Sequence, residues 1–223
     1  MEVLNLSYSL EILPSLLHGA VTTLEVFALV LIFSIPLGIL IAFAMQLKWK
    51  PLNWKPLNWF IHIYIWVMRG TPLLLQLIFV YCVLPSVGIR LDRLPAALIA
   101  FTLNYAAYFA EIFRGGIDTI PKGQYEAAKV LKFTPGATIR YIVLPQVTKI
   151  VLPSVFNEIM SLVKDTSLVY ALGISDLILA SRTAANRDAS LVPMFLAGAI
   201  YLIVIGIVTL VAKRIEKKFS YYK

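Results

Sequence analysis

Five stretches of this chain are apolar for long enough to cross a lipid bilayer, a pattern that few soluble folds can bury. A membrane-spanning helix needs about 20 mostly apolar residues, and such runs fall at about 16–45, 59–84, 94–113, 141–168 and 191–212. The fourth is the most interrupted, with Lys149, Lys164 and Asp165 beside Pro145 and Pro153, and the fifth is the cleanest. Composition agrees: 14% of residues are charged and the mean hydropathy is +0.82, where a soluble domain carries about 25% charged residues. That excludes an ordinary water-soluble enzyme and a disordered chain. A single cysteine, Cys82, excludes an internal disulfide framework and a cysteine metal cage. No basic segment precedes the first span and no small-residue cleavage site follows a short apolar core, so it reads as a retained helix. The expected fold class is an all-α membrane protein with five transmembrane helices, residues 1–223 forming one domain.

The net charge of +8 would suit nucleic acid, but in so apolar a chain it faces a membrane surface instead. Its distribution gives an orientation. Lys48, Lys50 and Lys55 occupy the 46–58 loop; Arg114, Lys122, Lys129, Lys132 and Arg140 occupy 114–140; Lys213, Arg214, Lys217, Lys218 and Lys223 occupy the tail. Thirteen of the twenty basic residues thus lie on one side, against Arg90, Arg93, Arg182 and Arg187 on the other. The excess of Lys and Arg in cytoplasmic loops predicts the N-terminus outside and the C-terminus in the cytoplasm. The first cytoplasmic loop also holds a tandem copy, Trp49-Lys50-Pro51-Leu52-Asn53 followed by Trp54-Lys55-Pro56-Leu57-Asn58. It is either a tolerated stutter in an exposed loop or a Trp/Lys anchor in the headgroup zone.

Ionisable residues inside spans are costly and mark candidate functional positions. Glu25 lies near the outer interface. Arg69 directly precedes Gly70-Thr71-Pro72, a pattern that predicts a break or fresh helix start in the second segment, with Arg69 snorkelling toward the cytoplasm, as Lys149 can. On the third span Asn104, Tyr108 and Glu111 share one helical face. On the fourth, Asn157, Ser161 and Lys164 share one face, and Glu158 and Asp165 the adjacent one. Two polar stripes on facing spans describe either a substrate pathway or an interhelical network in which Lys164 pairs with a carboxylate. Three carboxylates against one ammonium favour a cationic group. Pro145 and Pro153 each remove a backbone donor and can kink the fourth span, as helices lining cavities do.

The segment 114–140 carries the most information. Pro121 and Gly123 punctuate its entry, 124–132 are mostly good helix formers, and Thr134-Pro135 reads as an N-cap and first helical position. Ala127, Ala128 and Leu131 fall on one face, suited either to pressing against a partner or to lying on the membrane. Glu126-Ala127-Ala128, followed by Ile142-Val143-Leu144-Pro145, resembles the EAA signature of permease subunits in bacterial ABC importers. The chain is similar in particular to the polar amino-acid permeases that serve histidine, glutamine, arginine, cystine and related substrates. The matching runs are Arg69-Gly70-Thr71-Pro72-Leu73-Leu74, Ala110-Glu111-Ile112-Phe113-Arg114-Gly115-Gly116-Ile117, Gly123-Gln124-Tyr125-Glu126-Ala127-Ala128, Leu144-Pro145-Gln146 and Lys164-Asp165-Thr166-Ser167-Leu168. One position departs: the signature has glycine six residues after the glutamate, and Lys132 stands here. Lysine requires either a backbone with φ < 0 or strain of roughly 1 kcal/mol.

The resemblance implies a type I importer permease in the bacterial cytoplasmic membrane. It implies that residues of 114–140, among them Gly123, Glu126, Ala127, Ala128, Leu131 and Lys132, form a coupling helix docking on a separate ATPase. The implied partners are two ATPase subunits, a second permease subunit, identical or different, and an extracytoplasmic substrate-binding protein, all around the lipid bilayer, with no nucleic acid. The chain has no G-x-x-x-x-G-K-[ST] phosphate loop, so it binds no cofactor itself, and ATP and Mg belong on the partner ATPase. The expected substrate is a polar L-amino acid, with a lean toward a basic or amphoteric one and with cystine in range. A different small polar solute, an ATP-independent channel and an intramembrane enzyme are the alternatives. The last is weak: His18 and His62 fall on different spans without a second ligand at metal spacing, and Glu158 and Asp165 stand about 10 Å apart along a helix.

Overall fold

The computed structural model describes residues 6–46 and 55–219. Of the tandem repeat of 49–58, residues 49–54 lie outside the described residues. In chain order the helices are α1 (Leu6–Gln46), α2 (Lys55–Gly70), α3 (Leu73–Ile78), α4 (Arg93–Asp118), α5 (Lys122–Val130), α6 (Pro135–Thr138), α7 (Leu144–Asp165), α8 (Leu177–Asp188) and α9 (Val192–Phe219). No strand occurs among the described residues. Four helical segments are long and apolar enough to cross a membrane: Ser7–Gln46, Arg93–Asp118, Pro135–Leu172 and Val192–Phe219. A fifth crossing exists if Leu57–Gly70 and Leu73–Val87, bent by 109°, act together.

The five apolar runs therefore correspond to helices, with shifted limits. The first begins near Leu6 and not Leu16, the third extends to Asp118, and the fifth to Phe219. The second is broken at Gly70–Pro72, where a break was expected, but not by the capping expected of Thr71. Pro72 is the extended residue there, at φ −61° and ψ 132°, without a side-chain cap. The Thr71 hydroxyl donates back to the Val67 carbonyl at 2.7 Å. The loop between the fourth and fifth spans hides a helix, α8, whose sequence Leu177-Ile178-Leu179-Ala180-Ser181-Arg182 is too short and too polar to register as a span. Asp176 caps it, accepting from the Leu179 and Ile178 amides at 2.9 and 3.2 Å. Asp176 is fully buried, and burial pushes its carboxyl upward against those two amides.

Pro85 and Pro145 are accommodated in the same way. A proline ring clashes with the carbonyl four residues back. Ahead of Pro85 and Pro145 the chain widens by one residue per turn, over Phe79–Val83 and Ile139–Val143, so that the Leu84 and Leu144 amides reach the Phe79 and Ile139 carbonyls. The Gln146 side-chain Nε2 then donates to the Ile142 carbonyl at 2.7 Å. Pro153 lies inside α7.

The interior is built on α4. Its alanines, Ala96, Ala97, Ala100, Ala106, Ala107 and Ala110, are all buried and form a low surface on which neighbours seat closely. The long flank of α1 lies along α4, and Val26 and Val30 of α1 join Phe101, Tyr105 and Phe109 of α4 in the main apolar cluster. Gly38 marks the closest approach, since a Cβ there would stand 2.6 Å from the Phe109 Cβ and 3.0 Å from the Ala106 carbonyl oxygen. A second cluster joins Ile12, Leu16 and Ala20 of α1 to Leu177 of α8 and Ala197 of α9. The Tyr8 hydroxyl donates to Asp188 at 2.7 Å, and Arg187 beside it holds that carboxyl down to about 2. Large apolar side chains cover the outside: Trp66 is 75% exposed and Leu202 72%. Exposure of that kind on several helices suits hydrocarbon and not water.

Candidate functional site

Two regions gather the polar and charged residues singled out in the sequence. The first surrounds the break between α2 and α3. Breaking a helix in a membrane frees carbonyls that no water can satisfy, and two side chains meet this demand. Asn104 of α4 donates to the Met68 carbonyl at 2.8 Å and to Gln76 Oε1 at 3.0 Å. Gln76 donates to the Met68 carbonyl at 3.0 Å and to the Thr71 hydroxyl at 2.8 Å. Asn104 is thus buried and committed to holding the break.

Below it on α4, charges alternate toward the helix end. Arg69 reaches toward the C-terminal end of α4, the direction expected of it. Its guanidinium lies 5.3 Å from the centre of the Tyr108 ring and 4.0 Å from Glu111, an aromatic face and a carboxylate being better partners than lipid. Glu111 is gripped by both Arg114 nitrogens, Nε at 3.0 Å. Arg114 reaches on to Asp118 at 2.6 Å, and Asp118 also accepts from Gln46 of α1 at 2.6 Å. A continuous polar ladder so runs from the break to the end of α4.

The second polar stripe is placed differently from the expected Lys164–carboxylate network. Asp165 accepts from the Tyr105 hydroxyl at 2.7 Å, which ties α7 to α4. Lys164 is exposed and makes no ion pair among the described residues. Its position on α7 turns it away from Asp165, its chain neighbour, and no other carboxylate reaches it. Glu158 is half-buried and has no hydrogen bond among the described residues, while Arg69 and Asp165 are the charges acting on it. Asn157 and Ser161 likewise make no side-chain hydrogen bond there. Gln76 and Tyr105 are the members that sequence reasoning missed; Arg69 was singled out, but not as a partner of Tyr108 and Glu111. Arg69 alone carried a signal, as a cation beside a helix breaker within a span.

The second region is the helical elbow between α4 and α7. After Asp118 the chain buries Ile120 against Val143, Val147 and Val151 of the following span, turns at Pro121 and enters α5. Thr134 caps α6 by accepting from the Ala137 amide at 3.2 Å, with Pro135 following, as the sequence predicts. Gly123, Glu126, Ala127 and Leu131 are exposed, whereas Ala128 is 1% exposed. The face proposed for Ala127, Ala128 and Leu131 is therefore split, because α5 buries Ala128 and presents Val130 and Leu131 outward, 81% and 69% exposed.

The C-terminus of α5 explains the departure at Lys132. Its amide donates to the Lys129 carbonyl at 3.1 Å, the Phe133 amide donates to the Ala128 carbonyl at 2.9 Å, and Lys132 itself sits at φ +55°. This is the paired ending in which glycine normally takes the left-handed residue. Lysine holds it at a cost of about 1 kcal/mol. Lys132→Gly is accordingly expected to raise the melting temperature of the purified protein by about 2–4 °C; a fall would mean that the lysine side chain holds the turn.

Comparison with known proteins adds an independent finding. Residues 34–221 match the family described as "Binding-protein-dependent transport system inner membrane component". The chain is 36% identical over 221 residues to the arginine transport system permease protein ArtQ of Bacillus subtilis, covering 97% of this chain and 99% of that one. It is 35% identical over 211 residues to the L-cystine transport system permease protein TcyB of the same organism, covering 94% and 88%. With a putative glutamine transport system permease protein GlnP of Rickettsia felis it shares 33% over 216 residues, covering 95% and 97%. Among solved structures, the crystal structure of an amino acid ABC transporter with histidines superposes with a TM-score of 0.85 at 28% identity, over 98% of this chain and 99% of that one. The MetNI methionine ABC transporter, at 17% identity, shares the fold with a TM-score of 0.74 over 92% and 96% of the two chains.

Proposed function

The chain belongs to the family of binding-protein-dependent transport system inner membrane components, and from that premise we propose that it is the permease subunit of an ATP-driven importer for a polar L-amino acid. The observation that carries the coupling half of this reading is α5. It is a short helix held in the connection between α4 and α7, with Ala128 buried and its apolar end outward. A helix so fixed transmits displacement to α4 and α7, and an exposed apolar end is a docking surface for a protein partner. An ATP-independent channel has no use for it. The partner is a separate ATPase, where ATP and Mg would bind. Two ATPase subunits, a second permease subunit and an extracytoplasmic binding protein complete the assembly. Thirteen of the twenty basic residues lie in the segments 46–58, 114–140 and 213–223, an excess that supports a cytoplasmic α5, an outside N-terminus and a place in the bacterial cytoplasmic membrane.

The substrate class rests on the relatives named for arginine, glutamine and cystine and on the charges near the break. Of Glu111, Glu158 and Asp165, Glu158 is the one without a hydrogen bond or ion pair among the described residues, so it is the group most able to receive a substrate ammonium or guanidinium. Glu111 is already held by Arg114. The balance leans to a basic or amphoteric amino acid, cystine included. Uptake into proteoliposomes carrying the whole importer, with each amino acid and cystine in turn, tests the class. A charge-assisted hydrogen bond contributes about 1.5–3 kcal/mol, so Glu158→Gln is expected to weaken uptake about tenfold to a hundredfold without lowering the melting temperature. Glu111→Gln is expected to lower both. Unchanged uptake in both variants removes these carboxylates from the substrate path.

A further inference from the structure

A cavity of about 680 Å3 opens where α1, α4, α5 and the start of α7 meet, within the range of about 300–1,000 Å3 common for ligand sites. Its chemistry is graded along the helices. The three spans all run toward the α5 end: α1 from Ile39 to Gln46, α4 from Phe113 to Asp118, and the fourth span backward from Val151 to Ile139. Ile39, Phe113 and Val151 line the deep end, and Gln46, Asp118, Lys122 and Glu126 line the mouth. Tyr125 also lines the α5 wall, and Thr148 spends its hydroxyl on the Leu144 carbonyl at 2.8 Å. From Val151 to Ile139 the wall measures about 18 Å at 1.5 Å per residue. The space is a long apolar slot with a polar entrance.

That shape fits an amphiphile lying parallel to the spans, and the charges at the entrance narrow its headgroup. Asp118 is committed to Arg114 and Gln46. Lys122 and Glu126 make no ion pair among the described residues, so the mouth offers one ammonium and one carboxylate. Lys129, Lys132 and Arg140 do not line the cavity, but they follow in the same segment and leave it with an excess of positive charge. Basic segments at the membrane surface attract anionic lipid headgroups. We propose that this cavity binds an anionic phospholipid with a hydroxylated headgroup, one acyl chain in the slot, its phosphate on Lys122 and its headgroup hydroxyls donating to Glu126. Because one wall is α5 and the others are α1, α4 and the fourth span, the bound lipid ties the elbow to the spans. The leaflet rests on the orientation proposed above; the slot and its occupant do not.

The test is a thermal titration of the purified, delipidated full-length protein in detergent with dioctanoylphosphatidylglycerol. Dioctanoylglycerol supplies tails without phosphate, and inorganic phosphate supplies charge without tails. The expected result is a saturable rise in melting temperature with the phospholipid alone. Lys122→Glu raises the half-saturating concentration at least tenfold, and Thr148→Trp, which fills the slot, abolishes the rise. Should Thr148→Trp fail to fold, Lys122→Glu on exposed α5 still decides. An equal rise with either control compound, or an unchanged half-saturating concentration in Lys122→Glu, overturns the proposal. Neither ATP nor substrate enters this measurement, so its outcome is separate from that of the transport assays.

Discussion

Gly19→Val is expected to lower the melting temperature of the purified permease by roughly 10 °C and to cut its accumulation in the membrane severely. A Cβ at this position would stand 2.7 Å from the Asp176 carbonyl oxygen, 2.9 Å from its carbon and 3.0 Å from the Leu177 Cα. All three are backbone atoms, so no side chain can rotate away. The turn they belong to is fixed from both sides. Asp176 caps α8, and the Leu177 amide donates at 3.2 Å to the Thr23 hydroxyl, which itself donates to the Gly19 carbonyl at 3.1 Å. Overpacking costs about 1–3 kcal/mol by itself, and displacing the turn adds about 1 kcal/mol for the weakened cap. Gly206→Ala is the control. Nothing lies within 4 Å of a Cβ there, and alanine is the better helix former, so stability should hold or rise. Equal melting temperatures for wild type and Gly19→Val would mean that α1 and α8 do not pack as described.

The residues around Gly19 also show where sequence reading stops. Five apolar runs predict membrane helices because hydrocarbon thickness sets a length that composition alone reveals. The break at Gly70–Pro72 and the cap at Thr134 were legible because proline and threonine act on their own backbone. α8 was not legible. Its reason for being helical is the fit of Leu177 and Asp176 against α1, more than 150 residues earlier in the chain, and no local pattern encodes that contact. The same division runs through the polar sites. Spacing put Asn104, Tyr108 and Glu111 on one face, but three different partners then claimed them: the broken end of α2, the Arg69 guanidinium and Arg114. Arg114 is three residues from Glu111 and could have been paired from sequence. Arg69 and Gln76 could not, because only the 109° bend brings their segment back to α4.

Lys132 illustrates a third kind of information. Its departure from the signature glycine was visible in the sequence, and so was the choice it imposed between a relaxed backbone and a strained one. The structure keeps the left-handed turn at φ +55°. Conserving the geometry of α5 thus takes precedence over relieving about 1 kcal/mol of strain, which is what a helix with a mechanical task would require. Both hydrogen bonds of that ending hold the direction in which Val130 and Leu131 point.

Those two residues give the second large effect. Val130→Asp and Leu131→Asp are each expected to abolish co-purification of the ATPase and to reduce ATP-driven uptake at least thirtyfold. At a protein interface the apolar centre carries most of the binding energy, often more than 2 kcal/mol per residue, and 2 kcal/mol corresponds to about thirtyfold in affinity. An unpaired carboxylate in the same place adds the cost of stripping its water. Neither change should alter the melting temperature of the isolated chain, since both side chains are mostly exposed. Glu126→Lys and Ala127→Asp, also on exposed positions, should follow the same pattern more weakly. Ala128→Asp separates coupling from folding, because its side chain is buried and the charge should unseat α5 and lower the melting temperature as well. Retained ATPase association in both Val130→Asp and Leu131→Asp would locate the docking surface elsewhere. Loss of transport with association intact would mean that α5 binds the ATPase through other residues and uses these two only to transmit its motion.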